Sequence, residues 1–344
     1  MNGDRKGWIE QAIRAGQPWH FRKKVRWVHN LINLSAFAFL MAIATATVLA
    51  SQWVSPWVYV PVAGAIFGMV YFSMFILVVH EASHGMFLVL QDRRWHLRLN
   101  RIFGWCCSIP FAVHYIKHWE EGHLEHHVRP LEPADPQQSN TLVGRELLKT
   151  VLMNAFIPCY LFVERTVLRK RKFGKSTSSK GVIVVFILFW AVVLTLVGLL
   201  VSPWASAALF WGLHVLSAWN HIKGSLEHGG DIGREANPFL RSRTTFFPGR
   251  RLLMPWNITL HFEHHLNFCV PWYDMLRYHR ALRGIVPREI WDEVINHHPF
   301  AQLAGSLGGL SEAARSAGST PRDASVDPTQ QGIAVQPALA HRAE

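Results

Sequence analysis

The chain has 344 residues, of which 50% are hydrophobic and only 17% charged, with a formal net charge of +12. That balance argues against a string of ordinary soluble domains and points to a membrane protein whose basic residues meet a lipid surface. The four cysteines, Cys106, Cys107, Cys159 and Cys269, lack a paired metal spacing and fit a reducing compartment, and no zinc-finger or RNA-recognition signature accompanies the positive charge, so nucleic acid is not an expected partner.

In chain order, residues 1–30 form a polar, basic N-terminal segment with Arg5, Lys6, Arg14, Arg22, Lys23, Lys24 and Arg26, longer than the leader of a signal peptide. Residues 31–50 then run apolar for the length a helix needs to cross the hydrocarbon core. A short turn leads into a second apolar run, 57–79, which ends at His80 and the cluster His80-Glu81-Ala82-Ser83-His84. Residues 85–180 are a long basic stretch in which 102–113 and 151–163 are apolar but short, as expected of interfacial or re-entrant helices. This stretch carries His123-Leu124-Glu125-His126-His127 and closes on a basic run from Arg165 to Lys180. Two further spans follow, 182–201 and 204–222, joined by Ser202-Pro203.

Neither tight turn between paired spans contains Lys or Arg, whereas the other connections are rich in them. The positive-inside rule therefore predicts four transmembrane helices in two hairpins, with both termini and a helical, histidine-rich cap on the cytoplasmic side. Residues 220–300 are polar with scattered aromatics, and residues 302–344, rich in Ala, Gly, Ser, Pro and Gln, read as a disordered tail after a short extension over 286–301.

His261-Phe262-Glu263-His264-His265 repeats the spacing of His123-Leu124-Glu125-His126-His127. On a helix, positions i, i+3 and i+4 share a face, so each copy can aim its imidazoles at one place. A lone His-x-x-x-His is more often a structural pair than a ligand pair; two copies of the same triple are hard to attribute to packing. Together with His80 and His84 they exceed the four ligands of one tetrahedral zinc and suit two metals of the imidazole-binding class.

These motifs resemble the membrane fatty-acid desaturase/hydroxylase superfamily of integral-membrane di-iron enzymes. The resemblance covers residues 30–285 and rests on the three histidine boxes and on the string from Asn257 to Leu282, with Val270-Pro271-Trp272-Tyr273 and His279-Arg280-Ala281-Leu282 after the last box. It implies a 31–285 catalytic membrane domain, an all-α fold, and metal ligation by His80, His84, His123, His126, His127, His261, His264 and His265. It further implies one isolated histidine between the second and third boxes, for which His228 in Glu227-His228-Gly229-Gly230 is preferred over His221.

Glu81, Glu125, Glu227, Asp231, Asn257 and Glu263 are candidates to orient the imidazoles, with solvated surface groups as the bland alternative. His114 and His118 are candidate outer partners, and His214 reads as a hydrogen-bonded bundle residue. The implied chemistry is O2-dependent oxidation of an unactivated C–H bond at two Fe ions, most simply fatty-acyl desaturation, with hydroxylation or ketolation as the alternative. The implied partners are a hydrophobic acyl or lipid substrate, membrane lipid and a separate electron donor of ferredoxin, rubredoxin or cytochrome b5 type, since neither a haem signature nor a ferredoxin cysteine pattern is present. A bacterial inner membrane is the expected location. The rivals are an intramembrane zinc protease, because His80-Glu81-Ala82-Ser83-His84 satisfies His-Glu-x-x-His, and a metal transporter, which would need polar ligands within its spans.

Overall fold

Long apolar runs leave the backbone one economical choice, since a helix satisfies its own hydrogen bonds within the segment, and the helix Pro56–Met74 continues across an internal Pro61. The computed structural model describes residues 7–133, 135, 141–164 and 179–318 and is mostly helical. The basic run from 165 to 178 and residues 319–344 of the expected tail lie outside the described residues.

Helix α1 (Trp8–Ala15) is amphipathic and buries Trp8, Ile9, Ala12 and Ile13. Helix α2 (Arg26–Ala50) turns through Ser51 into α3 (Pro56–Met74), which continues as a wider π-helical stretch, Phe75–His80, and a last α turn, Glu81–Ser83. Helix α4 (Arg93–Ser108) follows, capped by the Asp92 carboxylate on Trp95 N–H. A second π-helical stretch, Tyr115–Glu121, runs into α5 (Gly122–Val128). The pair α6 (Gly144–Phe156) and α7 (Tyr160–Val163) is broken at Cys159, whose φ is 63°. Helices α8 (Lys180–Leu200) and α9 (Pro203–His228) come next, and short helices complete the chain: α10 (Arg250–Leu253), α11 (His261–Leu266), α12 (Met275–Leu282), α13 (Arg288–Val294), α14 (Pro299–Ala304) and α15 (Glu312–Gly318).

Among the described residues, three helical segments are long and apolar enough to cross a membrane: Arg26–Ala50, Pro56–Ser83 and Lys180–Leu200. Helix α9 is of similar length but more polar, and more buried than Arg26–Ala50 and Lys180–Leu200. It lies against α3 at close range because both helices present glycine. A Cβ on Gly68 would stand 2.4 Å from Val215 Cγ1, and one on Gly212 would stand 2.7 Å from Phe67 Cβ. Gly64 and Gly68 are four apart, the small-residue spacing that lets helix backbones approach in an apolar environment.

The expected all-α fold carries one small addition. Strand β1 (Thr244–Thr245) pairs in parallel with β2 (Ile295–Asn296), which fastens the chain before the third box to the C-terminal region.

The expectation of a disordered tail from 302 fails over 302–318. Helices α14 and α15 fold there, Leu310, Ala314 and Ala317 are buried, and the buried Arg243 guanidinium donates to Gln302 Oε1 at 2.6 Å and Gly308 O at 2.6 Å. Gln302 Nε2 in turn donates to Ser225 O and Gly229 O. The Ala- and Gly-rich composition here serves close packing: a Cβ on Gly318 would lie 2.4 Å from Leu240 Cδ1.

Among the described residues two large apolar cores and a small one result. One large core gathers side chains from α2, α3, α4, α8 and α9, the other those of α1, α11, α12, α13 and α15, and the small one joins Phe21, Met86, Val89, Phe268 and Cys269. The histidine boxes lie where the two large cores meet.

Candidate metal centre

Each box is placed by a local departure from regular helix. The first follows the π-helical stretch that ends at His80, and the second follows the π-helical stretch that ends at Glu121. A π turn re-aims the side chains after it, and such turns gather at functional sites. The third box begins just after Trp256 and Asn257, whose φ values are 59° and 54°. These left-handed residues reverse the chain into α11, where Phe262 and Leu266 enter the second core and leave the imidazoles to face the first. His228 is the last residue of α9.

The nine histidines form two groups whose ligand atoms lie within 4.8 Å of one another: His80, His84, His123, His127 and His264 in one, and His126, His228, His261 and His265 in the other. Boxes and groups do not coincide. The second box sends His126 to the four-histidine group and its other members to the five-histidine group, and the third box sends only His264 across. The two groups abut, with the rings of His127 and His265 4.6 Å apart.

Within groups the Nε2 atoms converge: His80 to His264 at 2.9 Å, His123 to His127 at 3.2 Å, His228 to His261 at 2.9 Å and His261 to His265 at 3.1 Å. Imidazoles that share an ion at about 2.0–2.1 Å, roughly at right angles, would place their nitrogens about 3 Å apart. Hydrogen bonding between rings does not account for the whole set, because His84 Nε2 and His126 Nε2 are buried without a hydrogen-bond partner. Buried nitrogens are seldom left so in a native fold, and a metal would use both lone pairs. The donor set therefore fits metal ions.

The outer contacts fix which nitrogen faces inward. His228 Nδ1 is 2.8 Å from Arg241 O, and a carbonyl can only accept, so Nδ1 carries the proton and Nε2 presents its lone pair. His126 Nδ1 is 2.7 Å from Asp135 Oδ2, with both side chains fully buried. The same carboxylate oxygen accepts from Leu131 N–H at 2.6 Å.

Asp135 was not among the sequence candidates. It stands outside every box, and only its position eight residues beyond His127, in a Pro-rich stretch, pointed to a return toward the second box.

Of the carboxylates that were candidates, Glu81 Oε1 is 3.3 Å from His80 Nδ1, and Glu227 Oε1 is 3.3 Å from His261 Nδ1 although not aligned for a hydrogen bond. Glu227 also accepts from Lys223 Nζ at 2.6 Å. Glu263 is buried but turns away from the imidazole groups, accepting from Thr244 Oγ1 and lying 2.5 Å from His279 Nδ1. The other three do not reach the imidazoles. Glu125 is half-buried and no hydrogen bond links its side chain to an imidazole among the described residues, and Asp231 is 65% exposed and faces Arg234. Asn257 sits in the chain reversal and not one helical turn before His261, and its amide donates to Trp272 O at 2.9 Å.

His221 is held 3.0 Å from Glu164, His114 caps Lys117 N–H, and neither these nor His118 belongs to the two groups. His214 bonds the backbone of Asn154 at 3.0 Å, the bundle role expected of it.

Burial is the largest influence pushing His84, His123, His127, His261, His264 and His265 below the ordinary imidazole range, and repulsion from neighbouring imidazoles adds to it. The rings are neutral at physiological pH, the form that ligates metal. Phe268 stacks on His84, the one partly exposed member of the five-histidine group, and lies against His127, both at 4.8 Å, which shields that side of the group.

The family model for fatty acid desaturases matches residues 55–292, well over half the chain and a stretch that includes all nine histidines. No curated protein matches the sequence.

Proposed function

The chain belongs to the fatty acid desaturase family, and from that premise we propose that it uses O2 to oxidise an unactivated C–H bond of a lipid or acyl chain at a di-iron centre, introducing a double bond. The observation that carries this reading is the pair of abutting groups of five and four imidazoles, all buried but the partly buried His84, including two buried Nε2 atoms without a hydrogen-bond partner.

His80, His84, His123, His127 and His264 would hold one iron and His126, His228, His261 and His265 the other. Iron supplies the one-electron chemistry with O2 that side chains lack. The protein's own residues do the rest. Asp135 and the Arg241 carbonyl keep protons on the Nδ1 atoms of His126 and His228, so that Nε2 stays free for ligation. Glu81 and Glu227 sit behind His80 and His261. Burial of eight of the nine imidazoles and the Phe268 ring over His84 limit the access of water, which would protect a strong oxidant from side reactions.

The apolar helices would be arranged as two hairpins, α2 with α3 and α8 with α9, bringing an acyl substrate from the bilayer to a centre on the cytoplasmic side. An inner bacterial membrane and a separate electron carrier of ferredoxin, rubredoxin or cytochrome b5 type complete the reading. The zinc protease alternative loses support from Glu81, which lies beside the outer nitrogen of His80 and not in front of it, where a general base must stand.

The test is metal and lipid analysis together. Protein purified in detergent with iron supplied should hold about two irons per chain, and cells expressing it should accumulate an unsaturated or, if oxygen is inserted instead, a hydroxylated acyl product. His264→Ala should lose iron and product together. One zinc per chain with no oxidised lipid would overturn the proposal.

A further inference from the structure

Desaturation of a C–C bond by O2 removes two hydrogens, takes up two further protons and two electrons, and releases two waters. The two electrons must enter from outside the chain, one at a time if the donor is a small redox protein. On the reading proposed above, the protein needs a place where such a carrier docks and a route inward from it.

The route is visible in α11. Glu263, two residues after His261 and one before His264, is fully buried and bonded to His279 Nδ1 at 2.5 Å. The His279 ring lies 5.0 Å from Trp291 and 5.1 Å from Phe246, and Phe246 stacks on His297 at 5.6 Å. Trp291 and His297 line an open hollow of about 450 Å³ together with Arg283, Val286, Arg288 and Asp292. A buried carboxylate inside the third box is thus joined, through two aromatic side chains, to a surface depression. This chain of contacts plays no part in ligating the histidine groups.

The surface around the hollow is basic. Arg277, Arg280, Arg283 and Arg288 are all exposed. Arg277 pairs with Asp274 and Arg288 with Asp292, whereas Arg280 and Arg283 have no ion-pair partner among the described residues. Glu289 is the nearby opposing charge without an ion pair, while Glu293 is taken up by Ser311. The hollow belongs to the second core, on α12 and α13, whereas the apolar helices α2, α3 and α8 build the first. A lipid headgroup is accordingly a poorer occupant than a soluble protein.

We propose that this hollow is the docking site of an acidic, one-electron carrier protein, and that Trp291, His279 and Glu263 form the route from it to the metal groups. In each encounter the carrier is oxidised by one electron and the metal centre reduced by one. Complementary charge would speed the encounter and make it salt-dependent.

The experiment uses the detergent-purified full chain, both iron-loaded and metal-stripped, with three acidic probes: a plant-type [2Fe–2S] ferredoxin, a rubredoxin and a soluble cytochrome b5 domain. At least one should bind both forms of the protein, more weakly as salt rises. The double variant Arg280→Glu/Arg283→Glu, altered only at exposed positions, should bind it about tenfold or more weakly. Trp291→Leu should slow oxidation of the reduced carrier several-fold in stopped flow at saturating carrier, where any weaker docking no longer limits the rate, with Trp291→Phe recovering part of the rate. Binding of none of the probes, equal binding to the charge-reversed variant, or an unchanged electron-transfer rate in Trp291→Leu would each overturn the assignment. A chain that holds no iron, and so oxidises no carrier in either form, would defeat the proposed function, whereas the docking assignment would still stand or fall on binding to the metal-stripped protein and its charge-reversed variant.

Discussion

Asp135→Ala tests the centre where the structure departs most from expectation. The Asp135 carboxylate is fully buried 2.7 Å from Nδ1 of His126, a member of the four-histidine group. Its removal leaves His126 free to rotate or change tautomer and leaves Leu131 N–H without its 2.6 Å acceptor. Loss of a group that orients a ligating imidazole costs about 10–100-fold in metal affinity, or about 1.4–2.7 kcal/mol. The effect should be unequal: the ion held by His126, His228, His261 and His265 weakens, while the other keeps its affinity. Titration of metal-loaded protein with a graded chelator series should therefore show two release steps moving apart in the variant. Glu125→Ala, inside the box itself but half-buried and away from the imidazoles, should change neither step. Coincident weakening of both ions, or a loss in Glu125→Ala equal to that in Asp135→Ala, would refute the reasoning.

Three other perturbations probe the frame around the site. Gly68→Val should strike the α3–α9 contact, because even its Cβ would overlap Val215; thermal unfolding in detergent should report about 1–3 kcal/mol of lost stability, and an unchanged midpoint would mean that the helices are not in contact there. Asn33→Ala should remove a buried amide that donates to Phe87 O at 2.9 Å and accepts from Trp272 Nε1 at 2.9 Å, at about 1–3 kcal/mol, with faster hydrogen exchange at residues 86–89; equal exchange would sink the idea that it ties α2 to the segment after the first box. Metal-stripped protein should lose stability as pH falls. The six buried imidazoles with lowered affinity for protons stay neutral when folded, so the unfolded chain takes up protons first, below about pH 6.5, and each group contributes a limiting slope of about 1.4 kcal/mol per pH unit. Above that pH the contribution is complete and flat, and a denaturation midpoint that stays constant from pH 7.5 to 5.5 would contradict the neutral, buried state.

What could be read from the chain was what short-range periodicity encodes. The i, i+3, i+4 spacing placed three imidazoles on one face of each box, and runs of about twenty apolar residues marked the helices that became α2, α3 and α8. The length of α9 exceeded the apolar run expected for it, since its last turns are polar and buried among other elements. Composition misjudged residues 302–318, because small residues that look unable to build a core can still pack closely against one prepared elsewhere, as Gly318 does on Leu240. Periodicity likewise could not announce the π-helical stretches before the first two boxes, whose extra width is invisible in the order of residues.

The sequence by itself determined the donor chemistry: which imidazoles exist, how they are spaced, and that their boxes flank apolar helices. Tertiary structure alone decided their partition, sending His126 and His264 away from their nearest neighbours in the box, and it alone recruited Asp135 while leaving Glu125 and Asp231 outside. The reason is that helical spacing sets directions within one element, whereas convergence on a shared point depends on how separate elements cross. At that crossing a carboxylate eight residues beyond a box can stand closer to a ligand than one inside it.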